Sequence, residues 1–201
     1  MHAHSSALFS AILLAGGQSR RMGTDKAALS WGSQSLWERQ RSVLEATRPA
    51  ELWISGRKTG PYAGSSLPIL EDPVPGLGPL AGLVEGLRRA QHAFLLVLGI
   101  DLPWMNAGFL SGLMEEAWVR KKGVVPRNAR WWEPLAAVYP REILPLAEEC
   151  LQHADRSLQR LVRLGMECGL LESRELGAGE GDLFRNVNSP GDLPAPGMEL
   201  C

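Results

Sequence analysis

Residues 9–26 read Phe9-Ser-Ala-Ile-Leu-Leu-Ala-Gly-Gly-Gln-Ser-Arg-Arg-Met-Gly-Thr-Asp-Lys26. An apolar run, Phe9 to Leu14, passes directly into a loop that packs three glycines, two adjacent arginines and a lysine. The run reads as a strand. Glycine lets a backbone approach an anion closely and take positive φ. Successive unpaired N–H groups in such a loop form an anion-binding nest, and the cations add charge-assisted hydrogen bonds to phosphate oxygens. The loop is built to hold a triphosphate. It is not a Walker A loop, because Lys26 is followed by Ala27, and it lacks the Gly-x-Gly-x-x-Gly of a dinucleotide fingerprint.

Outward from this unit, short apolar runs alternate with helical patterns, which argues for βαβ architecture and a parallel sheet. Leu52–Ile54 and Leu67–Leu70 read as the second and third strands. Ala93–Leu98 is the most hydrophobic strand and is expected at the centre, buried on both faces. Val124-Val125 and Trp132–Tyr139 read as later strands. Ser35-Leu-Trp-Glu38 is a capping box opening a helix, and Leu36, Trp37, Gln40, Val43, Leu44 and Thr47 share its face. Pro79 stands at a first helical position, followed by Leu80, Leu83, Val84 and Leu87 at helical spacing. Further helices are expected over Ala107–Arg120, after Pro140, and around Leu158, Leu161 and Val162. Arg57–Ser66 and Glu175–Asp182 read as polar, flexible loops. The expected fold class is α/β: a Rossmann-like three-layer fold with a mostly parallel central sheet. The chain is expected to be a single domain over 1–201, with 1–8 and 194–201 as flexible tails.

Bulk properties narrow the function. The chain has 201 residues, 45% hydrophobic and 21% charged, with net charge −1. No basic field is present to hold nucleic acid non-specifically. No apolar run reaches the roughly 18 residues of a membrane span, and no secretory signal opens the sequence. Cys150, Cys168 and Cys201 are distant and odd in number, which points to reduced thiols in the cytoplasm. His2, His4, His92 and His153 show no metal-ligand spacing.

In open α/β sheets, ligands bind beyond the carboxyl ends of the strands. Four strand ends there carry small or polar residues: the phosphate loop, Ser55-Gly56-Arg57, Glu71-Asp72 and Asp101-Leu102-Pro103. Asp101 is the metal candidate. A carboxylate at the end of a buried strand is costly unless it is paired or binds a cation. Mg²⁺ prefers one or two carboxylates together with phosphate oxygens and water. A helix starting at Pro79 would aim its positive end at the site. Trp131 and Trp132 are adjacent and on a strand face opposite sides; core packing is the first reading, and one of them could stack on a flat ring.

The segment Leu14–Lys26 resembles the nucleotidyltransferase signature Leu-Ala-Gly-Gly-x-Ser-x-Arg-Met-Gly-x-Asp-Lys, in the two-glycine form typical of molybdenum cofactor guanylyltransferases. Glu71-Asp72 with Gly78-Pro-Leu-Ala-Gly82, then Asp101-Leu-Pro103, Glu133-Pro-Leu135 and Asn186-Val-Asn188-Ser-Pro190, resemble later motifs of that family, in order. The resemblance runs from about Ala11 to Leu193. It implies transfer of GMP from GTP to the terminal phosphate of molybdenum cofactor (Mo-molybdopterin), with Mg²⁺ as cofactor and molybdoenzymes or their chaperones as partners. Leu14, Ala15, Gly16 and Gly17 are implied to hold GTP, the first three through main-chain groups at its guanine or ribose end, with Asp72 in the nucleotide pocket. Arg21 and Lys26 are implied to stabilise the departing pyrophosphate. Asp101 is implied to bind Mg²⁺ with Asn188 beside it, and Asn186 to lie on the second-substrate side. The family often has asparagine where this chain has Ser55, and often histidine where it has Glu133. Asn188-Ser-Pro also reads as a helix start, with Ser189 as cap. A molybdopterin cytidylyltransferase, a sugar-phosphate nucleotidyltransferase and a non-catalytic nucleotide-binding regulatory protein stay open as alternatives.

Overall fold

The computed structural model describes residues 8–16, 25–71 and 76–187. The chain begins with β1 (Ser10–Leu14), buried over its whole length. A short hairpin follows, β2 (Ser30–Trp31) and β3 (Gln34–Ser35), and leads into α1 (Leu36–Ala46). The Ser35–Glu38 capping box forms as read, with Glu38 accepting from the Ser35 N–H at 2.8 Å. Then come β4 (Glu51–Ser55), β5 (Ile69–Leu70), α2 (Pro79–Arg89), β6 (Phe94–Gly99) and α3 (Ala107–Arg120). The second half contributes β7 (Gly123–Arg127), β8 (Ala136–Pro140), α4 (Leu144–Gln152), α5 (Leu158–Glu167) and β9 (Leu171–Glu175).

Seven described strands form one sheet in the order β5-β4-β1-β6-β8-β7-β9. β1 pairs in parallel with β4 and β6, β4 with β5, and β7 with β9. β8 alone among these strands runs antiparallel to its neighbours. The mostly parallel α/β fold is therefore present. Side chains of β1 and β6 alternate between two apolar layers. Ala11, Leu13, Leu96 and Leu98 join α1 and α3 on one face; Ile12, Leu14, Leu95 and Val97 join α2, α4 and α5 on the other. Burial on both faces is why these strands read as unbroken apolar runs.

Three expectations change. Trp132–Tyr139 is not one strand: Trp132 makes an isolated bridge to Arg127, Pro134 and Leu135 turn, and β8 starts at Ala136. Arg57–Ser66 is not loose. Its turns close over Tyr62, which is buried and accepts the Arg57 N–H at 2.9 Å. Glu175–Asp182 is likewise tied down, because Glu180 makes a two-pronged contact with Arg174 at 2.7 and 2.8 Å and caps the Gly177 N–H. β9 and the β2–β3 hairpin went unread, the one half polar and the other only two residues per strand.

Candidate active site

The strand directions gather the site. The parallel strands β1, β4, β5, β6, β7 and β9 end at one edge of the sheet, and the antiparallel β8 begins there. The residues after β6 and those before β8 therefore meet. The Gly99 N–H donates to the Leu135 carbonyl at 2.6 Å, and the Ile100 N–H to the Leu14 carbonyl at 3.1 Å. Asp101 follows directly on these ties, half-buried. A Cβ on Gly99 would lie 2.8 Å from an Asp101 carboxylate oxygen and 3.1 Å from Leu135 Cβ. Glycine at 99 makes room for the acid.

Gln40 fixes this loop from below. It is buried on α1, and its amide Nε2 donates to the carbonyls of Gly99 (3.0 Å) and Leu102 (2.8 Å), one on each side of Asp101. Its Oε1 has no partner among the described residues. The sequence reading placed Gln40 on the inward face without a role; a glutamine among apolar face positions was the available signal. Gln40→Leu strands two buried carbonyls and should cost about 1–3 kcal/mol of stability, read from the urea midpoint. The freed Asp101 loop should also lower turnover.

Burial pushes the Asp101 carboxyl above the ordinary aspartate range, and the positive charge of Lys26 pulls it back. Lys26 therefore acts electrostatically on Asp101. Lys26 opens a 3-10 turn capped by Asp25, whose carboxylate accepts the Ala27 N–H at 3.0 Å and pairs with Arg57 at 2.6 Å. That ion pair, missed in the sequence because its partners are 32 residues apart, braces the end of the phosphate loop against the loop after β4. Glu133 is raised by burial, lowered by the Asn128 amide at 2.6 Å, and raised by the Asp101 charge. Asp101 and Glu133 are thus two partly buried carboxylates that feel one another, with Lys26 acting on the first.

The remaining predicted residues fall as follows. Leu14, Ala15 and Gly16 stand at the end of β1, but the Leu14 carbonyl and the Ala15 N–H are spent on the sheet, the latter on the Ser55 carbonyl at 2.9 Å. The expected Ser55 side-chain contact with nucleotide is corrected. Ser55 is 2% exposed, and a Cβ on Gly82 of α2 would lie 2.3 Å from its hydroxyl oxygen. Its side chain is covered by the helix, and its role here is to hold Ala15. Asn186 is exposed, while the Val187 N–H donates to the Asp101 carbonyl at 3.0 Å, which brings the C-terminal motif alongside Asp101. Asn106, not Asp101, caps α3, accepting the Phe109 N–H at 2.8 Å. Gly17, Arg21, Asp72 and Asn188 lie outside the described residues.

Trp132 packs against the second apolar layer and its indole N–H donates to Ser173 at 2.8 Å, whereas Trp131 is 64% exposed. The core-packing reading holds for Trp132 and not for Trp131. No helix among the described residues is long and apolar enough to cross a membrane.

Comparison with known proteins meets this geometry. Residues 11–171 match the family model described as a MobA-like NTP transferase domain. The chain is 39% identical over 165 residues to the "Probable molybdenum cofactor guanylyltransferase" of Opitutus terrae, covering 81% of each. It is 32% identical over 193 residues to the molybdenum cofactor guanylyltransferase of Pseudomonas putida, covering 92% of this chain and 95% of that one. The solved structure of molybdopterin-guanine dinucleotide biosynthesis protein A from Archaeoglobus fulgidus superposes with a TM-score of 0.73 at 23% identity, over 91% of this chain and 94% of that chain; this likeness speaks to the fold. With the signature loop, the Asp101 edge and the sheet order in agreement, the chain belongs to the MobA-like NTP transferase family and is a nucleotidyltransferase.

Proposed function

We propose that the protein is a molybdenum cofactor guanylyltransferase. It takes GTP and Mo-molybdopterin and gives the guanine dinucleotide cofactor and pyrophosphate. The observation that carries this is the Asp101 edge: a buried-side carboxylate and Lys26, electrostatically coupled, at the mouth of the signature loop.

A terminal phosphate oxygen of the molybdopterin attacks the α-phosphorus of GTP, a new P–O bond forms, and the bond to the β-phosphate bridging oxygen breaks. The attacking phosphate is already anionic, so no general base is needed, and catalysis rests on positioning and charge. Lys26 and Arg21 bear the charge that builds on the leaving pyrophosphate. Asp101 and Asn188 are the residues that would hold Mg²⁺. The ion would supply positive charge to offset that of the triphosphate. Gln40 and the Gly99 turn hold Asp101 in place. Main-chain groups at the end of β1, with Gly17 and Asp72, bind GTP, and Asn186 lies on the acceptor side. The product passes in the cytoplasm to molybdoenzymes or their chaperones.

The test is chromatographic detection of dinucleotide cofactor from Mo-molybdopterin with Mg²⁺ and each of GTP, CTP, ATP and UTP. GTP should be preferred by on the order of 10²-fold, as base-specific hydrogen bonds worth a few kcal/mol allow. Equal or better use of CTP would move the protein to the cytidylyltransferases. GTP binding without any transfer would make it a regulatory nucleotide binder.

A further inference from the structure

The loop after β6 carries a tryptophan, Trp104, whose surroundings the reaction does not explain. Its backbone is fixed by two neighbouring residues of α1. Gln40 Nε2 donates to the Leu102 carbonyl at 2.8 Å, and Arg39 Nη2 to the Met105 carbonyl at 3.2 Å. The Met105 N–H closes a turn on the Leu102 carbonyl at 3.0 Å. The half-buried indole stands edge-to-face with Trp31 of the β2–β3 hairpin, ring centres 4.9 Å apart at 88°. Held at the backbone and against a second indole, Trp104 is a fixed platform.

Arg185 lies on that platform, its guanidinium carbon 4.9 Å from the Trp104 ring centre. Among the described residues no carboxylate pairs with it, so the ring face is the partner of its charge. Its neighbours in the chain are held separately. Phe184 is buried and packs edge-to-face on Phe109 of α3, ring centres 5.4 Å apart. Val187 is fully buried, and its N–H donates to the Asp101 carbonyl at 3.0 Å. Three pins therefore hold the segment from Phe184 to Val187. The middle one joins it to the loop that carries Asp101. Arg185 and Val187 are two residues apart, at most about 7 Å of chain, so fixing the first limits how far the second can drift. One backbone hydrogen bond contributes little net stability by itself, and the Val187–Asp101 tie needs this support. Asn186 lies within the pinned segment, and Asn188 follows Val187 in the sequence.

We propose that Trp104 and Arg185 form a clasp: a pair of positioning residues that fixes the Asn186-Val187 step against Asp101. This rests on the guanylyltransferase reading for what the clasp serves; the clasp itself rests on the contacts. A planar guanidinium stacks on an indole better than an ammonium does.

Native-state hydrogen exchange and guanylyl transfer test it in Arg185→Ala, Arg185→Lys, Trp104→Leu, Trp104→Phe and the double Arg185→Ala/Trp104→Leu. An exposed cation–π contact changes an equilibrium by about two- to fivefold. In metal-free protein the Val187 amide should exchange faster by about that factor in Arg185→Ala and Trp104→Leu, while the amides of β6 keep wild-type protection. The Mg²⁺ concentration for half-maximal transfer should rise by a similar factor, with GTP KM, and kcat at saturating Mg²⁺, unchanged. Trp104→Phe, which keeps a ring face, should restore most of both readouts, and Arg185→Lys less. The two residues act through one contact, so the double variant should be no worse than the more affected single one. Wild-type Val187 exchange in Arg185→Ala, or effects that multiply in the double variant, would overturn the clasp. So would a loss of kcat in Arg185→Ala that excess Mg²⁺ does not restore and Trp104→Leu does not share, which would put Arg185 on the substrate. If the wild-type protein transferred no GMP while Val187 exchange still responded as expected, the clasp would stand and the guanylyltransferase reading would not.

Discussion

Asp101→Asn should lower guanylyl transfer by at least ~10²-fold, the scale of losing one preorganised charge-stabilising group, and leave the protein folded. The amide keeps the shape of the carboxylate and removes the charge that a hard cation needs. The fold is indifferent because the apolar packing of β6 is untouched and the loop is still held by Gln40 and Leu135. Stability should even rise slightly at neutral pH. Burial raises the Asp101 pKa in the folded chain, so the folded state holds this proton more tightly than the unfolded one. The cost of ionising it is absent below the unfolded pKa, near 4, and grows as pH rises from there to the folded pKa. Asparagine avoids that cost. Circular dichroism melts at pH 4 and pH 7, beside a Mg²⁺ titration of transfer, check both halves. Near-normal transfer by a folded variant would remove Asp101 from the centre of the mechanism. Asn188→Ala should be milder, with a raised Mg²⁺ requirement that excess metal restores in part.

Lys26→Ala should lower turnover by roughly 10²-fold or more while weakening GTP binding much less. The charge it meets develops as pyrophosphate departs, so its interaction strengthens in the transition state. Lys26 is held for this. Asp25 caps its turn and is itself pinned by Arg57, so the backbone that carries Lys26 is set before substrate arrives. Loss of Lys26 also removes the positive charge that lowers the Asp101 pKa. The acid limb of the pH–rate profile should therefore move to higher pH in the variant. Calorimetric GTP binding and single-turnover transfer separate the two effects. A variant with normal turnover and a raised Michaelis constant would make Lys26 a uniform binder.

Much of this protein is legible in its sequence, for reasons that are local. β1 beyond Ser10 and β6 are runs of apolar residues and a terminal glycine because both faces are covered, so no pairing information is needed to find them. The Ser35–Glu38 box and Pro79 mark helix starts because unpaired N–H groups demand a partner or a proline within the next few residues. Asp101 stood out as a candidate because a carboxylate ending a buried strand has few other uses.

Tertiary structure decided what depends on direction and distance. The sequence of β8 does not say that it runs against its neighbours, yet that direction brings Leu135 and Glu133 to Asp101. Ser55 reads as a polar strand-end residue, but the close approach of α2 at Gly82 covers it. Gln40 and Glu38 are both polar residues of one helix; only the packing of α1 under β6 makes one a buried clamp and leaves the other at the surface. Trp131 and Trp132 differ for the same reason, the second finding Ser173 and the apolar layer, the first left exposed. Local chemistry fixes which groups a chain owns. Hydrogen-bond geometry and burial, set by residues dozens of positions away, fix which of them a ligand can reach.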